Sequence, residues 1–460
     1  MYGEGEPNLT MKYMNRFGCI GPACEEHCCG GWRIDVNKEH FDKLMAMAAF
    51  SAKPIARRFS TAFTILPKKN KKDQEHYVLK QLDDGNCILF RDGWCDLHGT
   101  FGYEALPHVC AFYPRKLKYV GDTMELSATG SCPEVTRQII LPPDGTDLEP
   151  IDFSRVHRKV LQDGMDPRDR RPFFRLFIEV RDFVMQLLRD ETLTWDQRQF
   201  LTVWFAKRTT EVLAKKNSDP DTTLVKREME LLKSPQVRYE INKRYADLEA
   251  PAALVLMIVR GIVRPRPKGG GRPLWNALTQ SVIQSYTKLP AMLPQSEDPE
   301  EHDRAADKAA REPVPMSTHE VFGEYKQRRD RLRAVPEVKA RIDSYFRNYS
   351  LHTWFHRMPT EEGDILTYAL RTLTQQSTMK FLVYSQTHLQ DFVTDLEKAQ
   401  EAERPAALAA LLDAVEKAAV SVFYQIARHI EHGVLLKWLA DMLKKMNLYS
   451  AAGGVYLIHF

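Results

Sequence analysis

The chain has 460 residues, of which 43% are hydrophobic and 27% charged, and its formal net charge is +4. That leaves room for about two or three domains with a sizeable core and ordinary globular chemistry. So small a surplus of positive charge gives no ground for a nucleic-acid partner or an anionic membrane surface.

The first ten residues, MYGEGEPNLT, are acidic and polar where a secretory signal would be basic and then apolar. The longest apolar run, near Ala252–Val259, is well short of the roughly 20 residues of a membrane span. The expectation is a cytoplasmic protein without membrane contact.

Residues 1–150 predict a cysteine-rich, loop-rich α+β module with β-hairpins. A helix is expected from Asn37 to Phe59, capped by Asn37 and burying Phe41, Leu44, Met45 and Ala48. A first hairpin would turn at Asp92-Gly93. Its regular register puts Cys87 and Cys95 on opposite faces, so both reach one centre only through a bulge or an irregular strand. A second hairpin would turn at Gly121-Asp122. It pairs Tyr119 with Met124 and Leu117 with Leu126 on one face, and Lys118 with Glu125 on the other. Its open end brings Cys110 toward Cys132.

From 151 to 460 the pattern is helical, so the fold class is mostly α. Phe173, Phe174, Leu176, Phe177, Val180, Phe183, Val184 and Leu187 follow helical spacing. Thr194 to Gln197 fits a capping box. Another apolar helix covers roughly 250–263, then RPRPKGGGRP breaks the chain. Residues 264–317, proline-rich around an acidic middle, read as a mobile linker. Helices resume near Thr318 and run to about Asn447.

All eight cysteines precede position 133: Cys19, Cys24, Cys28, Cys29, Cys87, Cys95, Cys110 and Cys132. In a reducing compartment such a cluster points to metal or iron–sulfur ligation rather than disulfides. Zinc knuckles favour C-x2-4-C pairs; only Cys24 and Cys28 fall in that range, so zinc stays open. The adjacent Cys28 and Cys29 reach one tetrahedral ion with difficulty. An iron–sulfur cluster is wider and is also held by thiolates. The spacing C-x3-C-x2-C is absent, because Gly31 stands where its third cysteine would fall.

Other motifs carry two readings each. Trp32 reads as core packing ahead of a ligand contact, and His27 and His98 as surface or hydrogen-bonding residues ahead of metal ligands. Lys68, Lys69, Lys71 and Lys72 read as a solvated loop tip. Arg115 in CAFYPR fits an anion or a salt-bridged turn. In QIARHIEH, residues 425–432, Gln425, Arg428 and His432 recur on one helix face, with His429 and Glu431 beside them. That stripe is an interhelical polar network or the wall of a ligand site. Arg347 and Asn348 are its partners or ordinary caps.

Taken together, FGCIGPACEEHCCGGWRI at 17–34, CILF at 87–90, WCDLH at 94–98, CAFYPR at 110–115, CPE at 132–134, SYFRN at 344–348 and QIARHIEH resemble the flagellin lysine-N-methylase family. The resemblance implies methyl transfer from S-adenosylmethionine to lysine ε-amines of flagellin, or of another lysine-bearing protein, by a chain carrying a [4Fe–4S] cluster. The residues alone reach only a cluster-sized thiol site on a helical body. No glycine-rich strand-to-helix turn stands out as a cofactor loop; Gly3-Glu4-Gly5 and Gly269–Gly271 lack the βα context. A lysine amine attacks only when neutral, from a free pKa of about 10.4. Tyr113, Glu431 and His432 are the nominated catalytic residues, and Arg115 and Arg428 the nominated cofactor contacts. The rival readings are a non-catalytic zinc-binding adaptor and a redox or metal-handling protein.

Overall fold

The computed structural model describes residues 7–50, 58–59, 61–66, 76–156, 161–165, 172–214, 222–249, 251–263, 273–288, 314–357, 364–430 and 441–460. The strands of the first third are β1 (Asn8–Met11), β2 (Asp35–Asn37), β3 (Phe63–Leu66), β4 (His76–Leu79), β5 (Phe90–Arg91), β6 (Trp94–Cys95), β7 (Arg115–Val120), β8 (Thr123–Ala128), β9 (Leu148–Glu149) and β10 (Leu161–Met165). Between them lie short helices, α1 (Lys12–Arg16), α2 (Lys38–Ala49), α3 (Asp96–Phe101), α4 (His108–Phe112) and α5 (Pro133–Ile140). The body follows with α6 (Pro172–Arg189), α7 (Trp195–Leu213), α8 (Thr222–Leu231), α9 (Pro235–Ala246), α10 (Ala252–Ile262), α11 (Pro273–Gln284), α12 (Thr318–Arg333) and α13 (Pro336–His356). It ends with α14 (Ile365–Tyr384), α15 (Thr387–Lys398), α16 (Arg404–Ile430) and α17 (Ala451–His459). The class is mostly α, as the sequence predicts.

The predicted caps form. Asn37 accepts from the His40 amide at 2.8 Å, and Thr194 and Gln197 close a reciprocal capping box. Helix α2 ends at Ala49, short of the predicted Phe59, with residues 51–57 and most of the 264–317 segment outside the described residues. The body also extends past the expected Asn447: α17 is a short apolar helix, capped by the Ser450 hydroxyl, with Val455, Leu457 and Ile458 buried.

The β7–β8 hairpin turns at Gly121-Asp122 in the predicted register, Tyr119 with Met124, Lys118 with Glu125 and Leu117 with Leu126. Gly121 has a φ of 61°, which the tight turn requires. The hairpin sits inside a mixed five-stranded sheet of order β10-β7-β8-β1-β9, with β1 parallel to β8 and β10 parallel to β7. The polar face of the hairpin is also covered. Lys118 and Glu125 are 0% and 1% exposed and lie 3.3 Å apart, and Arg181 of α6 meets Glu125 at 2.8 Å. Lys118 also donates to the carbonyls of Phe355 and His356, the orphan acceptors at the end of α13. Burial lowers the Lys118 ammonium to about 8, against the pull of Glu125.

Two hydrophobic cores result. The larger joins the five-stranded sheet to the helical body. The smaller packs β2, β4 and α2 around Ile34, Val36, Leu44, Tyr77, Leu79, Leu89 and Leu97. The cysteine loops lie beside this smaller core. Replacing Glu125→Gln leaves two buried cations without their counter-charge. We expect this to destabilise the protein by roughly 3–5 kcal/mol, read from urea unfolding; a loss under about 1 kcal/mol would show that the group is solvated in solution.

Candidate functional site: a ring of eight thiols

All eight cysteines line one cavity of about 570 Å³. None is paired in a disulfide. Each arrives on a different piece of local structure. Cys19 follows α1, and Cys24 ends the short 3-10 turn Gly21–Ala23. Cys28 and Cys29 sit in the irregular loop ahead of β2. Cys110 lies in α4, while Cys95 and Cys132 occupy the N-cap positions of α3 and α5.

The Cys87–Cys95 hairpin resolves the facing problem by being short. The strands pair only Phe90 with Cys95 and Arg91 with Trp94, around Asp92 and Gly93 with φ of 47° and 77°. Cys87 lies ahead of the ladder in an isolated bridge to Gln81. Strand alternation therefore never reaches it, and both thiols face the cavity.

The thiols influence one another across the cavity, and Cys24 feels the charge of Cys28. Cys29 is within hydrogen-bonding reach of Cys28 and Cys95, and Cys87 and Cys110 feel the charge of the latter two. Cys24 and Cys132 interact with each other and with Cys19. The hairpin thus brings Cys110 and Cys132 to the same cavity. Among the described residues, no three His, Cys, Asp or Glu side chains converge as a single metal ion demands.

Lowered and raised thiols stand side by side in the cavity. The Cys29 thiol, and then the His98 and Leu97 amides at the start of α3, pull Cys95 down to about 7 against burial. Cys28 is also lowered, chiefly by Cys29, whose own thiol is driven up by these neighbours. Burial pushes Cys87 up to about 11 and Cys132 up to about 12, the latter against the Val135 and Glu134 amides. Burial likewise raises Cys110 and Cys24. The raised thiols stay neutral until a cationic centre favours their thiolates.

The body grips this site directly. Arg428 of α16 meets Glu26 at 2.8 Å and donates to the His27 carbonyl at 2.9 Å. Both partners lie between Cys24 and Cys28. The predicted polar stripe is therefore partly a clamp on the cysteine loop. His429 lies against Trp275, with ring centroids 3.9 Å apart, and Gln425 donates to Ser421. Asn348 donates to the carbonyls of Ile140 and Pro142 beyond α5, so it is a cap and no partner of the stripe.

The remaining nominees separate clearly. Arg115 lines the cavity with its guanidinium over the Phe17 ring. The Tyr113 hydroxyl pairs with Ser131 at 3.1 Å, and burial raises its pKa well above the ordinary phenol range. A phenol held protonated can donate a hydrogen bond but is a poor base. Glu431, His432 and the lysine tip at 68–72 lie outside the described residues. Trp32 is not core: half-buried, it donates to the Cys28 carbonyl at 2.6 Å and leans on Tyr113. His27 lies against Phe90, and His98 is stacked on Trp94. The sequence reading missed Glu26, although an acid between two cysteines and an arginine on a distant polar stripe are complementary in charge.

The Flagellar biosynthetic protein FliU of Salmonella muenchen is 34% identical over 145 residues, 31% of this chain and 83% of that protein. This chain belongs to the family of FliU and the lysine-N-methylases. The Lysine-N-methylase of Salmonella typhimurium is also 34% identical over 139 residues, 30% of this chain and 33% of that protein. The one from Salmonella choleraesuis matches to the same extent. The match thus spans about a third of the length of these lysine-N-methylases. No protein-family model and no solved structure matches the chain. Among the described residues no helix is long and apolar enough to cross a membrane.

Breaking the clamp by Arg428→Met or Glu26→Gln is expected to speed native-state alkylation of Cys24 and Cys28 by roughly tenfold, equivalent to about 1.4 kcal/mol of lost loop protection. Mass spectrometry of the labelled peptides reads the rate. An unchanged rate in both variants would remove the clamp from the account.

Proposed function

We propose that this protein is a protein-lysine N-methyltransferase that uses S-adenosylmethionine, acts on flagellin or another lysine-bearing protein, and carries a [4Fe–4S] cluster in the thiol ring. The observation that carries this reading is the convergence of eight unpaired cysteines on one cavity in a chain of the lysine-N-methylase family. The relatives' printed names supply the methylation of lysine, and FliU supplies the flagellar connection.

The donor set suits a wide, sulfur-liganded centre. Thiols ring a space of about 570 Å³, whereas one tetrahedral zinc needs its ligands gathered to a point. We draw the four cluster ligands first from Cys28, Cys29, Cys87, Cys95 and Cys110, whose thiols act on one another. When bound, the cluster supplies an iron–sulfur face of fixed position and charge. The chain's own residues do the rest. Arg428 and Trp32 hold the ligand loop, and the Tyr113 hydroxyl is a hydrogen-bond donor at the wall. Phe17, Leu89, Phe90 and Leu97 make much of the lining apolar. Such walls disfavour the ammonium form of an entering lysine, as methyl transfer demands. Glu431 and His432 stay in the proposal as acceptors of the amine's proton.

Anaerobically purified full-length protein should contain iron and sulfide, and should move a labelled methyl group from S-adenosylmethionine to flagellin lysines. Cys29→Ser and Cys95→Ser should lose most of the iron, while Cys19→Ser, at the exposed edge of the ring, should keep it. A colourless, iron-free protein would sink the cluster. Unaltered lysine methylation across the proteome when the gene is deleted would sink the methyltransferase.

A further inference from the structure

A second cavity, of about 600 Å³, lies in the helical body and has no cysteine in its wall. Its sides are α12, the last turns of α14, the start of α7, the turn after α9 and the end of α17. Phe322, Lys326, Arg329 and Arg333 recur along one face of α12. Lys380 and Tyr384, four residues apart on α14, form the floor.

The floor is cationic and unusually enclosed. Lys380 is 5% exposed and Tyr384 fully buried. Lys380 donates to the Ile458 carbonyl at 2.8 Å, and among the described residues no carboxylate stands within ion-pair distance of it. Arg329 donates to the carbonyls of His459 and Phe460. Part of this positive charge therefore serves as a C-terminal cap of α17. Capping leaves two Lys380 protons unassigned and does nothing for Tyr384. The Tyr384 hydroxyl has no hydrogen bond of sound geometry, although the Arg333 guanidinium lies beside it. Arg333 itself pairs with Asp343 at 3.1 Å. Burial lowers the Lys380 ammonium to about 8, with Asp196 and Asp343 opposing and Arg333 and Arg329 assisting. A cation and a hydroxyl buried with unused donors leave a cost that an incoming anion removes.

The mouth has the opposite sign. Asp247 and Glu249 are exposed there against a single exposed cation, Lys326, Asp330 is exposed but paired with Arg329 at 2.8 Å, and Asp196 stands partly buried between rim and floor. A bare anion would meet this acidic rim unfavourably. A molecule with an inner anion and an outer cation would match both ends.

We propose that this cavity binds a small zwitterion of the α-amino-acid class, its carboxylate on Lys380, Arg333 and Tyr384 and its ammonium toward Asp196 and the acidic rim. The site is separate from the thiol ring and does not rest on the reading of that ring.

The test screens the full-length protein by calorimetry against the common L-amino acids, S-adenosylhomocysteine, acetate and inorganic phosphate, each alone. At least one zwitterion should saturate the protein, and Lys380→Met and Tyr384→Phe should each weaken it by about tenfold or more. Tyr384→Phe removes only a hydroxyl whose one neighbour, the Arg333 guanidinium, keeps its pairing with Asp343, so its fold survives and the comparison stands even where Lys380→Met loosens α17. The proposal is overturned if no zwitterion binds. It is also overturned if the bound one keeps its affinity in Tyr384→Phe, or if acetate or phosphate binds as tightly.

Discussion

A guanidinium of the penultimate long helix is closed over a loop 401 residues earlier in the chain. The thiol ring depends on that contact. The loop from Cys19 to Trp32 contains little regular structure that could hold four thiols in place by itself. Its shape comes from outside: Arg428 on Glu26 and the His27 carbonyl, Trp32 on the Cys28 carbonyl, and the Gln81 amide on the Trp32 carbonyl. A buried guanidinium is stable only with such partners. The same constraint that fixes the loop therefore satisfies the arginine.

The ring has a chemical logic beyond proximity. Burial raises Cys24, Cys87, Cys110 and Cys132, and the charge of neighbouring thiolates adds to the rise. The two lowered thiols are Cys95 and Cys28, both chiefly through Cys29, and helix-start amides add to the lowering of Cys95. Cys95 and Cys132 begin helices, so their sulfurs face unpaired amides. For Cys95 these amides and the Cys29 thiol outweigh burial; for Cys132 burial wins. Cys29 and the helix starts thus grade the thiols within one cavity, and a cationic centre would draw first on those already lowered.

The two cavities divide the molecule chemically. One is lined by soft sulfur donors and apolar walls at the junction of the small module with the body. The other is hard and ionic, built wholly within the body from α12, α14 and the end of α17. The Lys118–Glu125–Arg181 group ties the mixed sheet to α6 and α13. Sheet and helices are held in one core by charges that no longer meet water.

The sequence by itself determined the local pieces. Asn37, Thr194 and Gly121 act through their own side chain or backbone on residues three or four away, so their caps and turn were legible without the fold. So was the confinement of thiol chemistry to the first third of the chain. Where those pieces meet was decided only by tertiary structure. Lys118 and Glu125 read as a cross-strand pair, yet their burial depends on α6 and α13 arriving from elsewhere. Cys87 and Cys95 read as opposed because alternation assumes a longer ladder than the two pairs that form. Arg428 read as part of an interhelical polar network or of a ligand-site wall, and its partner was Glu26. Short-range hydrogen bonds are encoded in neighbouring residues, whereas long-range charge pairing depends on which surfaces the packing of the whole chain brings together.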